Sequence, residues 1–336
     1  MNRVLIVKLG ALGDVVHAIP VAAALRRAFP SARIDWLVGP KHRAILDLVP
    51  VIDRRLVMSD SRMVGAIREL RANQYDVAID LQGLIKSAAL ARASGAARVI
   101  GFTARYAREK LASWFYTEAH DPGGGGMYHI DEHHVIYTNL GILGTLGIQA
   151  GAPEFPIDRV ESQIASDAAA RTGGRYAILN PGAAWPNKRW LPARFAAVAA
   201  ELRQRHGLMS VVVWGPGEES LAREVADRSS GAAIVPAQTS IADLVALARG
   251  ASLYLAGDTG PAHLAAAVGT PIVGIYGPTR PSRNGPWAKA DITVSRSGIC
   301  VCHHLRQCRL KTMCLEDIDV AEVLEAVERR LAGARS

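Results

Sequence analysis

The chain has 336 residues, of which 49% are hydrophobic and 21% charged, so it can bury two cores and has an ordinary globular composition. It contains no apolar run as long as a membrane span, and its N-terminus lacks the layout of a signal peptide, which predicts a cytoplasmic protein. The formal charge of +8 favours an acidic partner such as a nucleotide, a phosphorylated lipid or a membrane surface, whereas the lack of a long basic run or RNA-binding signature disfavours nucleic acid.

The first half of the chain alternates apolar strands with helices, which is typical of a doubly wound α/β sheet. Arg3–Gly10 reads as a buried parallel strand, and a glycine turn then leads into a helix predicted from Val15 to about Phe29. The other predicted elements of this half are strands at Ile34–Val38, Arg55–Met58, Val77–Leu81 and Val99–Phe102, and helices at His42–Leu48, Met63–Ala72, Leu84–Ala93 and Asp131–Leu146.

The second half repeats this design after Gly147–Asp158, which has the proline and glycine content of an interdomain linker. We therefore predict Rossmann-like domains over residues 1–155 and 156–318, followed by a C-terminal helix within 319–336. Two such domains are expected to face each other across a cleft, where small-molecule sites usually form. The predicted elements are strands at Tyr176–Asn180, Ser210–Trp214, Ala233–Val235, Leu253–Ala256 and Ile272–Tyr276, and helices at Pro192–His206, Glu218–Asp227, Ile241–Ala248, Pro261–Val268 and Val320–Leu331.

The stretch from Leu253 to Thr279 carries the most specific pattern in the chain. A strand runs into a glycine turn and a short helix, and the free N–H groups at such a helix start can hold an anion. Asp258 and His263 bracket this helix start and could hydrogen-bond a sugar or a phosphate. The alternative is a tight turn in which Asp258 is the N-cap and His263 is satisfied in the core.

A second candidate lies in the glycine turn after the first strand, Gly10–Asp14. Asp14 could simply be the N-cap of the following helix, which is a common position for aspartate. As a general base, it could instead accept a proton from an attacking hydroxyl, which typically contributes roughly 10²- to 10⁴-fold in rate. No G-x-G-x-x-G follows any predicted strand, so the sequence disfavours a dinucleotide site.

Charged residues also follow two strands of the second half. Lys188 and Arg189 lie beside tryptophans after the first of these strands and are either a solvated pair or the cations that a leaving phosphate needs. Glu219 follows the glycine turn of the next strand, where an acid binds a ribose hydroxyl in many nucleotide sites. The alternative is an exposed acid in the first turn of a helix.

All four cysteines lie within Cys300–Cys314, spaced as C-x-C, five residues, C, five residues, C. The cluster indicates a structural metal, reduced thiols or a disulfide, and the C-x-C start differs from the common zinc knuckle. Asp317 and Asp319 form a D-x-D pair, but they directly precede the last helix, which is typical of capping.

Taken together, these stretches resemble the lipopolysaccharide heptosyltransferases, the ADP-heptose glycosyltransferases of family 9. The resemblance runs in family order along nearly the whole chain, and two stretches are most similar to the heptosyltransferase I branch. The matching stretches are VLIVKLGALGDVVHAIP, YDVAIDLQGLIKSA, AREKLASWFY, NPGAAWPNKRW, VVVWGPGEE and AGDTGPAHLAAAVGTPIVGIYGPT.

The resemblance implies an inverting glycosyltransferase of GT-B architecture, with an acceptor-binding first domain and an ADP-sugar-binding second domain. It would move L-glycero-D-manno-heptose from ADP-heptose to the Kdo or heptose inner core of lipopolysaccharide, at the cytoplasmic face of the inner membrane. The family is metal-independent, so no cofactor is expected for catalysis, although Cys300–Cys314 could hold a structural metal.

The resemblance also assigns roles to residues. Asp14 would be the general base, Lys188 would neutralise the donor diphosphate, and Glu219 would hold the adenosine ribose. The heptose and phosphates of the donor would contact Asp258, Thr259, Gly260 and His263. The acceptor would contact Gly13 and Arg108, and the contact to its phosphate would rest more on Arg108 because the family's basic segment is shortened here to SDSRMVGAIRELR, residues 59–71.

Three alternatives are left open at this stage. The first is a GT-B glycosyltransferase that uses another nucleotide sugar or acceptor. The second is an NAD-dependent oxidoreductase with two Rossmann halves, and the third is a non-catalytic module that binds a nucleotide or a lipid. The sequence also leaves open whether Kdo or an earlier heptose accepts the sugar.

Overall fold

The structure is a computed structural model that describes residues 1–58, 63–126, 129, 133–303 and 305–333. The chain divides into two compact units, Met1–Asp158 and Arg159–Ser336. Some parts of the predictions lie outside the described residues: residues 59–62 of the shortened basic segment, the first two residues of the helix predicted from Asp131, residue 304 within the cysteine cluster, and residues 334–336 of the C-terminal segment.

The described part of the first unit contains a six-stranded parallel sheet in the order β3-β2-β1-β4-β5-β6. Val4 to Val7 of the central strand are fully buried, as expected for a parallel strand that is covered on both faces. The strands are β1 Arg3–Val7, β2 Arg33–Val38, β3 Arg54–Val57, β4 Val77–Asp80, β5 Arg98–Phe102 and β6 Glu118–His120. The helices are α1 Leu12–Val16, α2 Ile19–Ala28, α3 Arg43–Leu46, α4 Met63–Ala72, α5 Ile85–Ala93 and α6 Val135–Gly141.

The prediction of one continuous helix from Val15 to about Phe29 is wrong. Two helices cover this segment, because α1 ends at Val16 and α2 begins at Ile19. Pro20 lies in the first turn of α2, where its missing N–H and its clash with the preceding turn cost nothing. The break makes α1 a short helix directly behind the glycine turn.

The described part of the second unit has the same sheet order, β12-β11-β10-β7-β8-β9, and its strand pairs are again parallel. The strands are β7 Tyr176–Asn180, β8 Met209–Val212, β9 Ala233–Ile234, β10 Leu253–Gly257, β11 Ile272–Tyr276 and β12 Ile292–Ser295. The helices are α7 Gln163–Thr172, α8 Pro192–His206, α9 Glu219–Arg228, α10 Ile241–Gly250, α11 Gly260–Ala267, α12 Pro281–Asn284 and α13 Val320–Ala332. The prediction of two doubly wound Rossmann-like sheets is confirmed.

Sequence reasoning missed the edge strands β6 and β12. They are only three and four residues long, and much of each is exposed to solvent. A short edge strand needs no continuous apolar run, so it leaves little pattern in the sequence.

The last helix packs into the core of the second unit. Trp190 is fully buried, lies edge-on to Phe195 at 5.1 Å, and donates its indole N–H to Ile318 O at 2.9 Å. Directly after Ile318, Asp319 caps α13 by accepting a hydrogen bond from Glu322 N at 2.9 Å. The capping interpretation of this aspartate is therefore confirmed.

Candidate functional site

The first polar cluster lies at the carboxyl end of β1. Asp14 is in the first turn of α1, and its Oδ2 accepts hydrogen bonds from Ala11 N at 3.1 Å and Arg108 Nη2 at 2.7 Å. Ala11, and not Asp14, occupies the N-cap position of α1, so the N-cap alternative for Asp14 is wrong. The structure thus brings Asp14 and Arg108 together, and Gly13, the third residue predicted for this site, is buried in the same turn.

The electrostatics of this cluster keep Asp14 ionised. Burial raises the pKa of its carboxyl, but the charges of Lys8 and Arg108 and the hydrogen bond from Arg108 outweigh burial and hold the pKa well below its usual range. The side chain is 19% exposed, so part of it can be reached by another molecule. A partly open carboxylate of this kind can accept a proton from a hydroxyl.

Sequence reasoning missed two residues that fix the loop before Asp14. Gln82 Oε1 accepts hydrogen bonds from Leu9 N at 3.1 Å and Gly10 N at 3.4 Å, and the buried Lys8 donates to Leu81 O at 2.6 Å. Their signal was a polar side chain at the end of an otherwise apolar strand. These contacts tie the loop after β1 to the loop after β4.

The first cluster lies where the strand order of its sheet reverses. Chain connections leave β1 toward β2 on one side and return to β4 on the other, so a crevice opens between the ends of β1 and β4. Asp14 and Gln82 follow these two strands. Ligands of open α/β sheets bind in this kind of crevice.

The second cluster joins three of the residues predicted for donor binding. The carboxylate of Asp258 accepts a hydrogen bond from Lys188 Nζ at 2.6 Å, and its other oxygen lies 3.0 Å from His263 Nε2. The Lys188 ammonium also lies 4.5 Å from the centre of the Trp185 ring, in a cation–π contact. His263 is buried and paired with Asp258, as the alternative for this turn predicts, and its role in donor binding stays a prediction.

The same topological rule places this cluster. The sheet order reverses between β7 and β10, and Lys188 follows the first of these strands while Asp258 follows the second. Gly257, the last residue of β10, must be a glycine, because a Cβ at this position would lie 2.8 Å from the Lys188 carbonyl oxygen.

Asp258 is the electrostatic centre of the second cluster. Burial raises the pKa of its carboxyl, but the hydrogen bond from His263 and the charge of Lys188 outweigh burial and lower the pKa strongly. The side chain is 4% exposed, so its charge depends on these two partners. A buried carboxylate that holds a lysine in place leaves the lysine's remaining N–H groups for another anion.

The start of α11 lies beside this cluster. Thr259 is the N-cap, its side chain accepts a hydrogen bond from Ala262 N at 3.3 Å, and Gly260 is the first helical residue. Asp258 is therefore not the N-cap, and that alternative is wrong. The arrangement puts Thr259 and Gly260 at the positive end of the helix dipole, as an anion site requires.

The structure pairs the Glu219 side chain within its own helix. Its carboxylate pairs with Arg223 one turn along α9, and its side chain is 44% exposed. Glu218 instead turns back toward the strand ends, where it accepts hydrogen bonds from Gly215 N at 3.1 Å and Arg189 Nη2 at 3.4 Å. Sequence reasoning missed Glu218, because two adjacent glutamates after a glycine turn cannot be told apart by spacing.

The four cysteines lie in the second unit as free thiols. Cys302 Sγ lies 3.4 Å from Cys308 Sγ, and Cys300 and Cys302 are buried. Among the residues with a described position, no group of three or more histidine, cysteine or acidic side chains is placed to hold a metal ion. A metal at Cys300–Cys314 therefore stays a prediction.

Comparison with known proteins identifies the relatives of this chain. The profile described as glycosyltransferase family 9 (heptosyltransferase) matches residues 63–313. The chain is 30% identical over 312 residues to lipopolysaccharide heptosyltransferase 1 of Pseudomonas aeruginosa, a match that covers 89% of this chain and 85% of that protein. It is similar to the solved structure of the Escherichia coli heptosyltransferase WaaC with ADP-2-deoxy-2-fluoro heptose, with a TM-score of 0.75, 25% identity and coverage of 97% of this chain and 99% of that one.

Proposed function

The chain belongs to glycosyltransferase family 9, the heptosyltransferases, and we propose that it moves L-glycero-D-manno-heptose from ADP-heptose, with inversion, to the inner core of lipopolysaccharide. The family expectation drawn from the sequence is thereby confirmed. The relatives favour neither the oxidoreductase nor the non-catalytic module. The observation that carries the proposal is the pairing of Lys188 with Asp258 at the carboxyl end of the second sheet.

We assign the donor to the second unit. Transfer of the sugar leaves ADP behind, and the negative charge that develops on its diphosphate needs cations and N–H donors. Lys188 and the start of α11 supply both, and Asp258 keeps the lysine charged and in place. His263 fixes the other oxygen of Asp258, so this cluster offers the diphosphate a preorganised site.

We assign the acceptor to the first unit. The acceptor hydroxyl attacks the anomeric carbon as ADP departs, and Asp14 takes the hydroxyl proton. Arg108, paired with Asp14, can also contact an acidic group of the acceptor, such as the carboxylate of Kdo. Of the described helices, none combines the length and apolarity needed to cross a bilayer. Because the proposed acceptor is a lipid, we place the enzyme on the inner surface of the membrane that holds it.

The first test is a thermal-shift titration of the protein with ADP, UDP, GDP and NAD. A ligand that binds only the native state raises the melting temperature by mass action, so we expect a saturable shift with ADP alone. Heptose transfer to Kdo-lipid A should then be detected with ADP-heptose as donor. A shift with UDP or GDP in place of ADP would change the donor, and a shift with NAD alone would overturn the transferase.

A second prediction separates the two adjacent glutamates. We propose that Glu218, rather than Glu219, accepts a hydrogen bond from the adenosine ribose, because its carboxylate lies at the loop after β8. Glu218→Gln should then weaken ADP binding by roughly tenfold, because a hydrogen bond to a charged group is worth about 1.5–3 kcal/mol. Glu219→Gln should leave ADP affinity unchanged, because the structure pairs its side chain with Arg223 on α9. Isothermal titration with ADP measures both variants. The reverse pattern would return the ribose contact to Glu219, as the sequence resemblance implies.

A further inference from the structure

An exposed apolar patch lies on the first unit, where the 3₁₀ helix Lys110–Phe115 packs against α5. We define the docking patch as Ile85, Leu111 and Trp114, whose exposed fractions are 38%, 48% and 81%. A tryptophan as exposed as Trp114 is unusual, because the burial of its large apolar ring away from water is favourable.

The periodicity of the 3₁₀ helix explains why the apolar side chains face outward. Residues three apart lie on the same side of such a helix, so Ala112 and Phe115 share one side and Leu111 and Trp114 another. Ala112 packs against Ala88 of α5 in a small buried cluster that Phe115 covers. The core therefore uses one side of the helix and leaves Leu111 and Trp114 exposed.

Ile85 joins this patch through the backbone of the neighbouring loop. Its N–H donates to Glu109 Oε2 at 2.6 Å, and Glu109 N donates to Gly83 O at 3.0 Å. The loop before the 3₁₀ helix is thus fixed against the start of α5. The patch is held in place by these contacts and by the buried alanines.

The border of the patch carries two lysines and one acid, and therefore a net positive charge. Lys86 follows Ile85, Lys110 precedes Leu111, and both lysines are exposed. The acidic residue of this loop, Glu109, accepts the hydrogen bond from Ile85 N. Exposed tryptophan and leucine beside lysines is the combination that binds the interface of an anionic bilayer, with the rings at the headgroup level.

The position of the patch also connects it with the first cluster. Arg108, whose guanidinium lies 2.7 Å from Asp14, is two residues before Lys110. A short stretch of chain therefore links this patch to the arginine that pairs with the carboxylate assigned as the general base. Any acceptor must reach that carboxylate, but only a membrane-held acceptor requires the enzyme to lie against the bilayer.

We propose that the docking patch inserts Trp114 and Leu111 into the headgroup region of a bilayer that contains anionic phospholipid, with Lys86 and Lys110 on the lipid phosphates. The link to catalysis rests on the function proposed above, but lipid binding itself does not. A second copy of the chain is the weaker choice of partner. Three side chains, each burying at most about 250 Å², fall short of the roughly 800 Å² per partner of a stable interface.

The test is co-sedimentation of the full chain with vesicles of phosphatidylcholine, with and without phosphatidylglycerol. Trp114→Ser should raise the lipid concentration for half-maximal binding about tenfold on the mixed vesicles, and Trp114→Phe should restore most of the binding. Lys110→Gln should weaken binding to the mixed vesicles by about fivefold and leave binding to pure phosphatidylcholine unchanged. The melting temperatures of all variants should match that of the wild type, because these side chains are exposed.

Ile299→Ser is the matched control, because Ile299 is 64% exposed in the second unit and lies outside the patch. It should bind vesicles as the wild type does. Equal vesicle binding by the wild type and Trp114→Ser, or no binding by either, would overturn the proposal. So would a wild type that does not bind vesicles but forms a dimer that Trp114→Ser abolishes. Loss of vesicle binding with unchanged transfer to a water-soluble Kdo acceptor would support docking, and failure of transfer with intact docking would count only against the proposed function.

Discussion

Asp14→Asn should lower the rate of heptose transfer roughly 10²- to 10⁴-fold while leaving affinity for ADP close to that of the wild type. The amide keeps the size of the side chain but cannot accept a proton from the acceptor hydroxyl. ADP affinity is expected to hold because the donor is assigned to the second unit. Steady-state transfer to Kdo-lipid A measures the rate, and isothermal titration measures ADP binding.

Asp47→Asn is a suitable control, because Asp47 is a half-exposed surface acid that pairs with Arg43 on α3. It should keep normal turnover. If Asp14→Asn kept normal turnover as well, Asp14 would have no part in proton transfer. If it lost ADP binding in proportion to rate, its effect would be structural.

The difference in stability between the wild type and Asp14→Asn should also depend on pH. The pKa of Asp14 is lowered in the folded protein, so its charge stabilises the fold above the unfolded pKa of about 4. This contribution is lost as the pH falls through that value toward the folded pKa. Urea denaturation should therefore find the variant less stable than the wild type at neutral pH, with the difference shrinking in acid.

The second large effect is expected at Lys188. Lys188→Met should weaken ADP binding by roughly 10- to 100-fold and slow transfer, because it removes a charge-assisted hydrogen bond to the diphosphate. It also leaves the Asp258 carboxylate buried without its cation, and losing one partner of a buried ion pair typically costs about 3–5 kcal/mol. Titration with ADP and urea denaturation measure the two effects.

Lys188→Arg tests the charge separately, and it should recover part of the ADP affinity. Lys289→Met is the matched control, because Lys289 is exposed and lies outside the second cluster. Unchanged donor kinetics in Lys188→Met, together with a loss of stability, would make the lysine a structural partner of Asp258. The diphosphate would then have to bind elsewhere.

The sequence by itself determined the class of fold and most of its elements. Buried parallel strands such as Val4–Val7 must be apolar along their whole length, and glycine turns mark where they end, so both leave a clear pattern. Edge strands β6 and β12 left none, and the break between α1 and α2 was hidden because Pro20 fits the first turn of a helix. The family also followed from the sequence, since its motifs lie in order along the chain.

Only the tertiary structure decided which predicted residues meet. Lys188 and Asp258 are 70 positions apart, and they touch because β7 and β10 are neighbours at the point where the sheet order reverses. Asp14 and Arg108 are 94 positions apart, and they meet because the loop after β5, a strand that is not a neighbour of β1, reaches the start of α1. Glu218 differs from Glu219 only in the direction of its side chain, which the helix start fixes. Strand order and side-chain direction depend on packing between distant segments, and no local pattern in the chain records them.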